Sequence, residues 1–283
     1  MIKHFTWNTG YGDIKVEFHR NIATFHDHTH EGVELVLYTR GRGVHIINGK
    51  RYPVSAGDVY VINPGTSHAC EKSADLDRWV IGYHPSIFLL IGSDIRTLAA
   101  FQTLFVLAPR SPDEQFTCRL TLSPVKVREA VAVIQRMKRE SVRCAIGYRI
   151  ILRSLFADLI VLLCRSFGHA KNSGTVPAIA RAAAHIESNF AKDISLASLA
   201  AVAGISGRHC ARLFTTMYGR TPTAYIVETR IRHACTLLTA TDESITDIAF
   251  SCGYHDSSFF TRQFKKTTGV MPSVYRCSHR AAK

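Results

Sequence analysis

The sequence predicts an α+β protein. An N-terminal β-barrel comes first, then a helical connector, then an all-α C-terminal domain with two helix-turn-helix units. Three observations predict this. Residues 14–83 alternate short apolar runs with turn residues. From residue 124 the apolar period becomes helical. In the last third one motif occurs twice: Arg212-Leu213-Phe214, Gly219, Pro222, Tyr225, and then Arg262-Gln263-Phe264, Gly269, Pro272, Tyr275, at identical spacing. A repeat of fixed length marks a repeated structural unit.

Composition allows two modest domains in 283 residues, nearly half of them apolar. Charge is divided unevenly. Residues 1–118 hold 11 Lys/Arg and 12 Asp/Glu, whereas residues 119–283 hold 24 and 10. A basic half beside a neutral half points to a polyanion partner for one domain only. The eight cysteines form no C-x-x-C pair, which favours a reducing, cytoplasmic setting over a disulfide framework. No signal peptide is expected, and residues 150–164, interrupted by Arg153 and Asp158, are too short to cross a bilayer.

The strands come in order. Val33 to Tyr38 reads as one strand, followed by a turn at Gly41-Arg42-Gly43. Val44 to Ile47 and Arg51 to Val54 flank Asn48-Gly49, the strongest short hairpin signal. Ala56-Gly57-Asp58 turns, Val59 to Ile62 is a strand, and Asn63-Pro64-Gly65 turns again. Regularly spaced short strands indicate a sandwich or barrel.

The connector follows, over residues 119–167. Val127, Val131 and Ile134 share a helix face, and Ile151, Leu152, Leu155, Phe156, Leu159, Ile160 and Leu163 make a broad stripe. That stripe suits packing on the barrel or a dimer seam. Residues 168–177 are small and polar and read as the linker. The expected domains are therefore 1–118, 119–167 and 178–283.

In the first helix-turn-helix unit, Ser195 caps a helix running to Ala203, Gly204 turns, and Ser206 caps a second helix with Leu213 and Phe214 inward. Gly207, Arg208, His209, Ala211 and Arg212 lie on its exposed N-terminal half, where a reading helix meets base edges. In the second unit Ser244 and Asp247 form a capping box, Gly253 turns and Asp256 caps. Ser257, Ser258, Thr261, Arg262, Lys265 and Lys266 line an exposed face, while Phe259, Phe260 and Phe264 pack. Thr221-Pro222 starts a linking helix that fixes the separation of the two reading helices.

Residues 176–276 resemble the DNA-binding domain of AraC-family transcription regulators. The resemblance implies reading positions at Arg208, Ala211 and Arg212, and at His255, Ser257, Ser258, Thr261 and Arg262, with Lys265 and Lys266 beside them. Ala211 departs from members with a polar residue there; its methyl suits a thymine methyl.

Upstream, His28-Thr29-His30, then Glu34 and Gly41, then Gly57, Pro64, Gly65 and His68 resemble the two motifs of the cupin barrel. Ile22 and Asn63 depart from that pattern. The resemblance implies a cupin-like sensor with His28, His30, Glu34, Tyr38, His68 and Trp79 as ligand-binding residues. His45, Tyr83 and His84 are further lining candidates, and His26 and Asp27 thicken the cluster near the mouth. No cofactor is expected. The alternative is a divalent first-row transition metal on His28, His30, Glu34 and His68.

The expectation is thus a non-enzymatic, ligand-responsive transcription activator resembling the rhamnose and arabinose regulators, sensing a small polar molecule such as a sugar. Expected partners are double-stranded DNA, the effector, a second copy of the chain and RNA polymerase, with no membrane. Two alternatives stand. One is a metal-dependent cupin enzyme, a dioxygenase or isomerase, fused to a DNA-binding domain. The other is a constitutive DNA-binding protein whose barrel only dimerises.

Overall fold

The computed structural model describes all residues except 1–2, 6–13, 22–23, 72–74, 108–115, 117, 169–174 and 281–283. The chain divides into two compact units, Met1–Pro177 and Ala178–Lys283.

Unit 1 contains two five-stranded sheets. One is ordered β1 (Lys3–Phe5), β3 (Phe25–His30), β8 (His68–Glu71), β5 (Arg42–Ile47), β6 (Lys50–Ser55). The other is ordered β10 (Arg119–Thr121), β7 (Asp58–Ile62), β4 (Val33–Arg40), β9 (Asp77–Tyr83), β2 (Ile14–His19). The β5–β6 hairpin turns at Asn48 and Gly49, with φ of 47° and 77°, the two positive values that a tight hairpin of right-handed twist requires. The preceding turn is shorter than expected: Gly41 alone takes it, while Arg42 and Gly43 already pair with Ser55 and Val54.

The near-continuous apolar run of β4 has a structural cause. Glu34, Val36 and Tyr38 face the space between the sheets, while Val33, Leu35 and Leu37 face outward under helices. Those helices are α2 (Pro124–Arg143), capped by Ser123 Oγ, and α3 (Tyr148–Gly168). Leu152, Leu155, Phe156, Leu159, Ile160 and Leu163 are buried in the same apolar cluster as the sheet, and the Phe156 ring lies 4.8 Å from that of Tyr83. Most of the stripe is therefore buried against the barrel, while Ile151 stays exposed. The boundary at residue 118 also moves, because Arg119–Thr121 pairs antiparallel with β7. Between β9 and β10 the chain makes helical turns, Pro85–Leu89 and Ser93–Thr97, then α1 (Ala99–Phe101), which runs into a wide turn over Gln102–Val106.

Most of the expected linker, 169–174, lies outside the described residues, and its end already belongs to α4 (Thr175–Asn189). Unit 2 continues with α5 (Leu196–Ala203), α6 (Gly207–Tyr218), α7 (Pro222–Ala240), α8 (Ile245–Ser251), α9 (Ser257–Thr268) and α10 (Pro272–Arg280). Ser195, Ser206, Thr221, Ser244 and Asp256 each accept a hydrogen bond from a backbone N–H of the first turn, as their types demand. Ser244 Oγ also donates to Asp247, 2.6 Å away. Buried Glu187 on α4 accepts from Tyr225 Oη at 2.8 Å and from Arg232 at 2.5 Å, which ties α4 to α7. Arg230 of α7 donates to the carbonyls of Phe190 and Lys192 just past α4.

All eight cysteines carry free thiols. Among the described residues, no helix is long and apolar enough to cross a membrane.

Candidate ligand chamber and nucleic-acid interface

The chamber between the sheets is built from strand periodicity. His28 and His30 sit two apart on β3, and antiparallel pairing sets His28 opposite His68 on β8. From the facing sheet Glu34 reaches both: its Oε2 lies 3.1 Å from His30 Nε2 and 3.1 Å from His68 Nε2. The rings of His28 and His68 are 4.2 Å apart. Each of the three histidines turns Nδ1 to a backbone carbonyl: His26 at 2.9 Å, Gly32 at 2.7 Å and Thr66 at 3.3 Å, respectively. Nε2 of His30 and of His68 is thereby turned to Glu34. Candidate ligand atoms of His28, Glu34 and His68 all lie within 4.8 Å of one another.

Burial sets the electrostatics. It raises the Glu34 pKa, but hydrogen bonds with His30 and His68 outweigh it and hold the carboxyl well below the usual range. Burial, with neighbouring His68, lowers His28. Burial, then His68 and Arg78, push His45 well below its ordinary value. Burial raises Tyr38 far above a free phenol. Tyr38 Oη lies 3.2 Å from His45 Nδ1, and both residues are fully buried.

Trp79 does not join them. On β9 it pairs with Leu37 and Phe18, whereas its neighbour Arg78 pairs with Tyr38 and His19. Successive strand residues face opposite sides, so Trp79 points to the outer face, its ring 4.8 Å from that of Phe18. Tyr83 is outward too, against Phe88 and Phe156. His84 is exposed and accepts from Ser86 N. His26 and Asp27 are exposed, and Asp27 accepts from Ser67 Oγ. Ile22 lies outside the described residues. Sequence reading missed the chamber residues Arg78 and Tyr60, whose ring lies 5.0 Å from that of His45. Asp77-Arg78 reads as a charged strand end, yet the alternation that turns Trp79 out turns Arg78 in.

On unit 2 both turns are set by glycine in the left-handed region, Gly204 at φ 73° and Gly253 at φ 80°. Arg208 and Arg212 are exposed on α6, and Ala211 is half-buried between them. Arg212 stands 3.1 Å from His209 Nδ1. Around α9, His255, Ser258, Arg262, Lys265 and Lys266 are exposed. Ser257 and Thr261 are half-buried, and Thr261 Oγ1 donates to the Ser257 carbonyl at 2.8 Å. His255 Nε2 lies 3.5 Å from Asp193. Phe259 corrects the expectation that it packs inside. Phe260 and Phe264, one turn apart, take the inward positions; Phe259 falls about 100° away around the helix. It is 45% exposed, its ring 5.9 Å from the Arg262 guanidinium.

Comparison with known proteins adds to this geometry. Residues 199–278 match the helix-turn-helix domain family, and residues 15–159 match the AraC-like ligand binding domain family. The HTH-type transcriptional activator RhaS of Klebsiella pneumoniae (strain 342) is 28% identical over 95% of this chain and 94% of its own. The activator RhaR of Escherichia coli O139:H28 is 29% identical over 89% and 87%. A solved transcriptional regulator with an AraC-type DNA-binding domain, from Chromobacterium violaceum, is 29% identical over 38% of this chain and 96% of its own, with a TM-score of 0.36.

Proposed function

Because the chain belongs to the AraC family, with an AraC-like ligand binding domain ahead of a helix-turn-helix domain, we propose that it activates transcription in response to a small polar molecule held in the barrel, a sugar being the first class to test. RhaS and RhaR are named as transcriptional activators, which supports the sign of regulation. The observation that carries the reading is the pairing of two matched helix-turn-helix units on a basic unit with a buried polar chamber in the other. The relatives are regulators, and no catalytic step is assigned to the chamber.

Two reading helices joined by one rigid helix suit adjacent major grooves of double-stranded DNA, about 34 Å apart. Base-edge contacts are assigned to exposed Arg208, Arg212, Ser258 and Arg262, and phosphate contacts to exposed Lys265 and Lys266. A second copy of the chain is the expected partner; Val142, Ile146, Ile150 and Ile151, exposed where α2 meets α3, are apolar surface suited to that contact. Contact with RNA polymerase follows from activation, inside the cytoplasm.

The test is binding of the full chain to operator duplex across a salt series, with and without a sugar panel. Duplex affinity that falls steeply with salt and shifts with a sugar supports the reading, because phosphate contacts release counterions. Substituting His30 and His68 together by Ala should abolish the ligand-dependent shift. A double variant with full response would move the pocket elsewhere.

One observation favours a second occupant of the same chamber. Three histidines that anchor Nδ1 on carbonyls, two of them with Nε2 on one carboxylate, have the outer-shell arrangement of metal-ligating histidines. His28, Glu34 and His68 would hold a divalent first-row cation, with His30 as a further donor. Metal content of protein purified without chelator, in the parent and the double variant, tests it.

A further inference from the structure

The chamber contains a buried cation that, among the described residues, makes no direct ion pair, although Glu34 acts on it through space. Arg78 is 5% exposed and, through its pairing with Tyr38, faces the space between the sheets. Its guanidinium carbon stands 4.7 Å over the Phe25 ring. Its Nε is buried with no acceptor, and among the described residues no carboxylate lies within 4.0 Å of it. The buried chamber carboxylate Glu34 is already in contact with His30 and His68.

We propose that the effector is an acid: a small molecule whose carboxylate is bound by Arg78, with His45 donating beside it. This rests on the reading of unit 1 as the sensor and names the class of molecule sensed.

The first support is the cost of an unpaired buried charge. A guanidinium is a permanent cation with five donors and no acceptor, and burying it without an anion is strongly unfavourable. A site built so is complete only when an anion enters. Phe25 covers one face of the guanidinium and Nε lacks a partner, and the edge that carries Nε matches a planar carboxylate with two parallel N–H···O bonds.

The second support is a separate orphan donor. Arg78 can only donate, so the Tyr38 oxygen with which it interacts accepts. The Tyr38 proton then has two acceptors in reach, His45 Nδ1 at 3.2 Å and Cys70 Sγ at 4.0 Å, and we assign it to the nearer. That places the His45 proton on Nε2, which is buried and without a partner. Two unsatisfied buried donors thus flank one hydroxyl. A neutral sugar offers hydroxyls to such a pair; a carboxylate offers charge and acceptor lone pairs together. Phosphate carries more negative charge, which the Glu34 carboxylate in the same chamber disfavours.

The test is thermal shift and calorimetry on the full chain with matched probes: galactose and galacturonate, glucose and gluconate, arabinose and arabinonate, with glucose 6-phosphate as the phosphate arm. An acid should bind about tenfold or more tighter than its neutral counterpart. Arg78→Gln should lose that preference by a similar factor. Arg78→Lys keeps the charge without the fork and should fall between; it also serves if Arg78→Gln melts prematurely. Tighter binding of a neutral sugar or of the phosphate overturns the acid proposal and leaves a sensor in place. An acid preference unchanged in both variants overturns the assignment to Arg78. If no probe of either kind binds, both the acid proposal and the sugar-sensing reading fall.

Discussion

Gly253 is packed so closely on Ala191 that a Cβ would stand 2.5 Å from the Ala191 carbonyl oxygen. The matching Gly204 meets nothing within 4 Å. Both have positive φ, so any side chain is strained at either turn. Only at Gly253 is there also a backbone in the way. Gly204→Ala should cost about 1–2 kcal/mol, and Gly253→Ala clearly more, with Gly253→Val unfolding the second unit. Urea unfolding of the full chain, following the unit 2 transition, checks the order; equal losses would show that Ala191 can give way.

Glu187 is 1% exposed at its side chain and faces Arg232, whose side chain is 25% exposed. Removing one member of a buried pair strands the other. Partial exposure of Arg232 softens the loss, so Glu187→Ala should cost about 2–4 kcal/mol. Glu187→Gln, which keeps an acceptor for Tyr225 Oη, should cost less. The melting temperature of unit 2 reads both.

Arg212 and Arg262 occupy equivalent places in the two repeats and are both exposed. Each to Ala should weaken specific duplex binding by about 1–3 kcal/mol and relax sequence preference at one position. The counter-result is a uniform loss over all sequences with a flatter salt slope, which would move the contact from base to phosphate.

Stability of unit 1 should fall as the medium is acidified. Burial holds His45 well below its ordinary 6.5. Between that depressed value and 6.5 the unfolded chain binds a proton that the folded chain refuses, so stability drops as pH passes down through about 6.5. Glu34, also depressed, adds a further loss of the same sign well below pH 4.5. Melting followed from pH 7.5 to 5.5 should show the first loss, and His45→Asn should reduce it, leaving the smaller share of His28 and His19, which burial also lowers.

Much of the fold was legible because local chemistry and tertiary structure agree. Asn48-Gly49 turns, Ser195, Ser206 and Asp256 cap, and Gly204 and Gly253 turn, since each residue type answers a backbone need that is settled locally. The histidines and Glu34 converge because strand alternation fixes side. Failures came where a second surface decides. The α3 stripe is apolar whether it meets a barrel or a copy of itself, so its pattern left both open, and its buried members pack in the same cluster as the sheets. Trp79 looked like a pocket aromatic, but the side a strand residue faces depends on its register with neighbours, and the same register turns Arg78 inward. Phe259 lies one residue from the inward positions, a rotation that composition does not report.

The 19-residue α7 joins the two reading helices without a break. At 1.5 Å and 100° per residue it is about 28 Å long and fixes phase as well as distance. One inserted residue would rotate the second unit by about 100° and aim α9 at a different azimuth of the duplex. Four would come back to within about 40° of the original heading while stretching the gap by about 6 Å. The helix therefore acts as a ruler with angular markings: operator spacing is written into its length, and sequences that drift elsewhere can change which bases are read, but not how far apart.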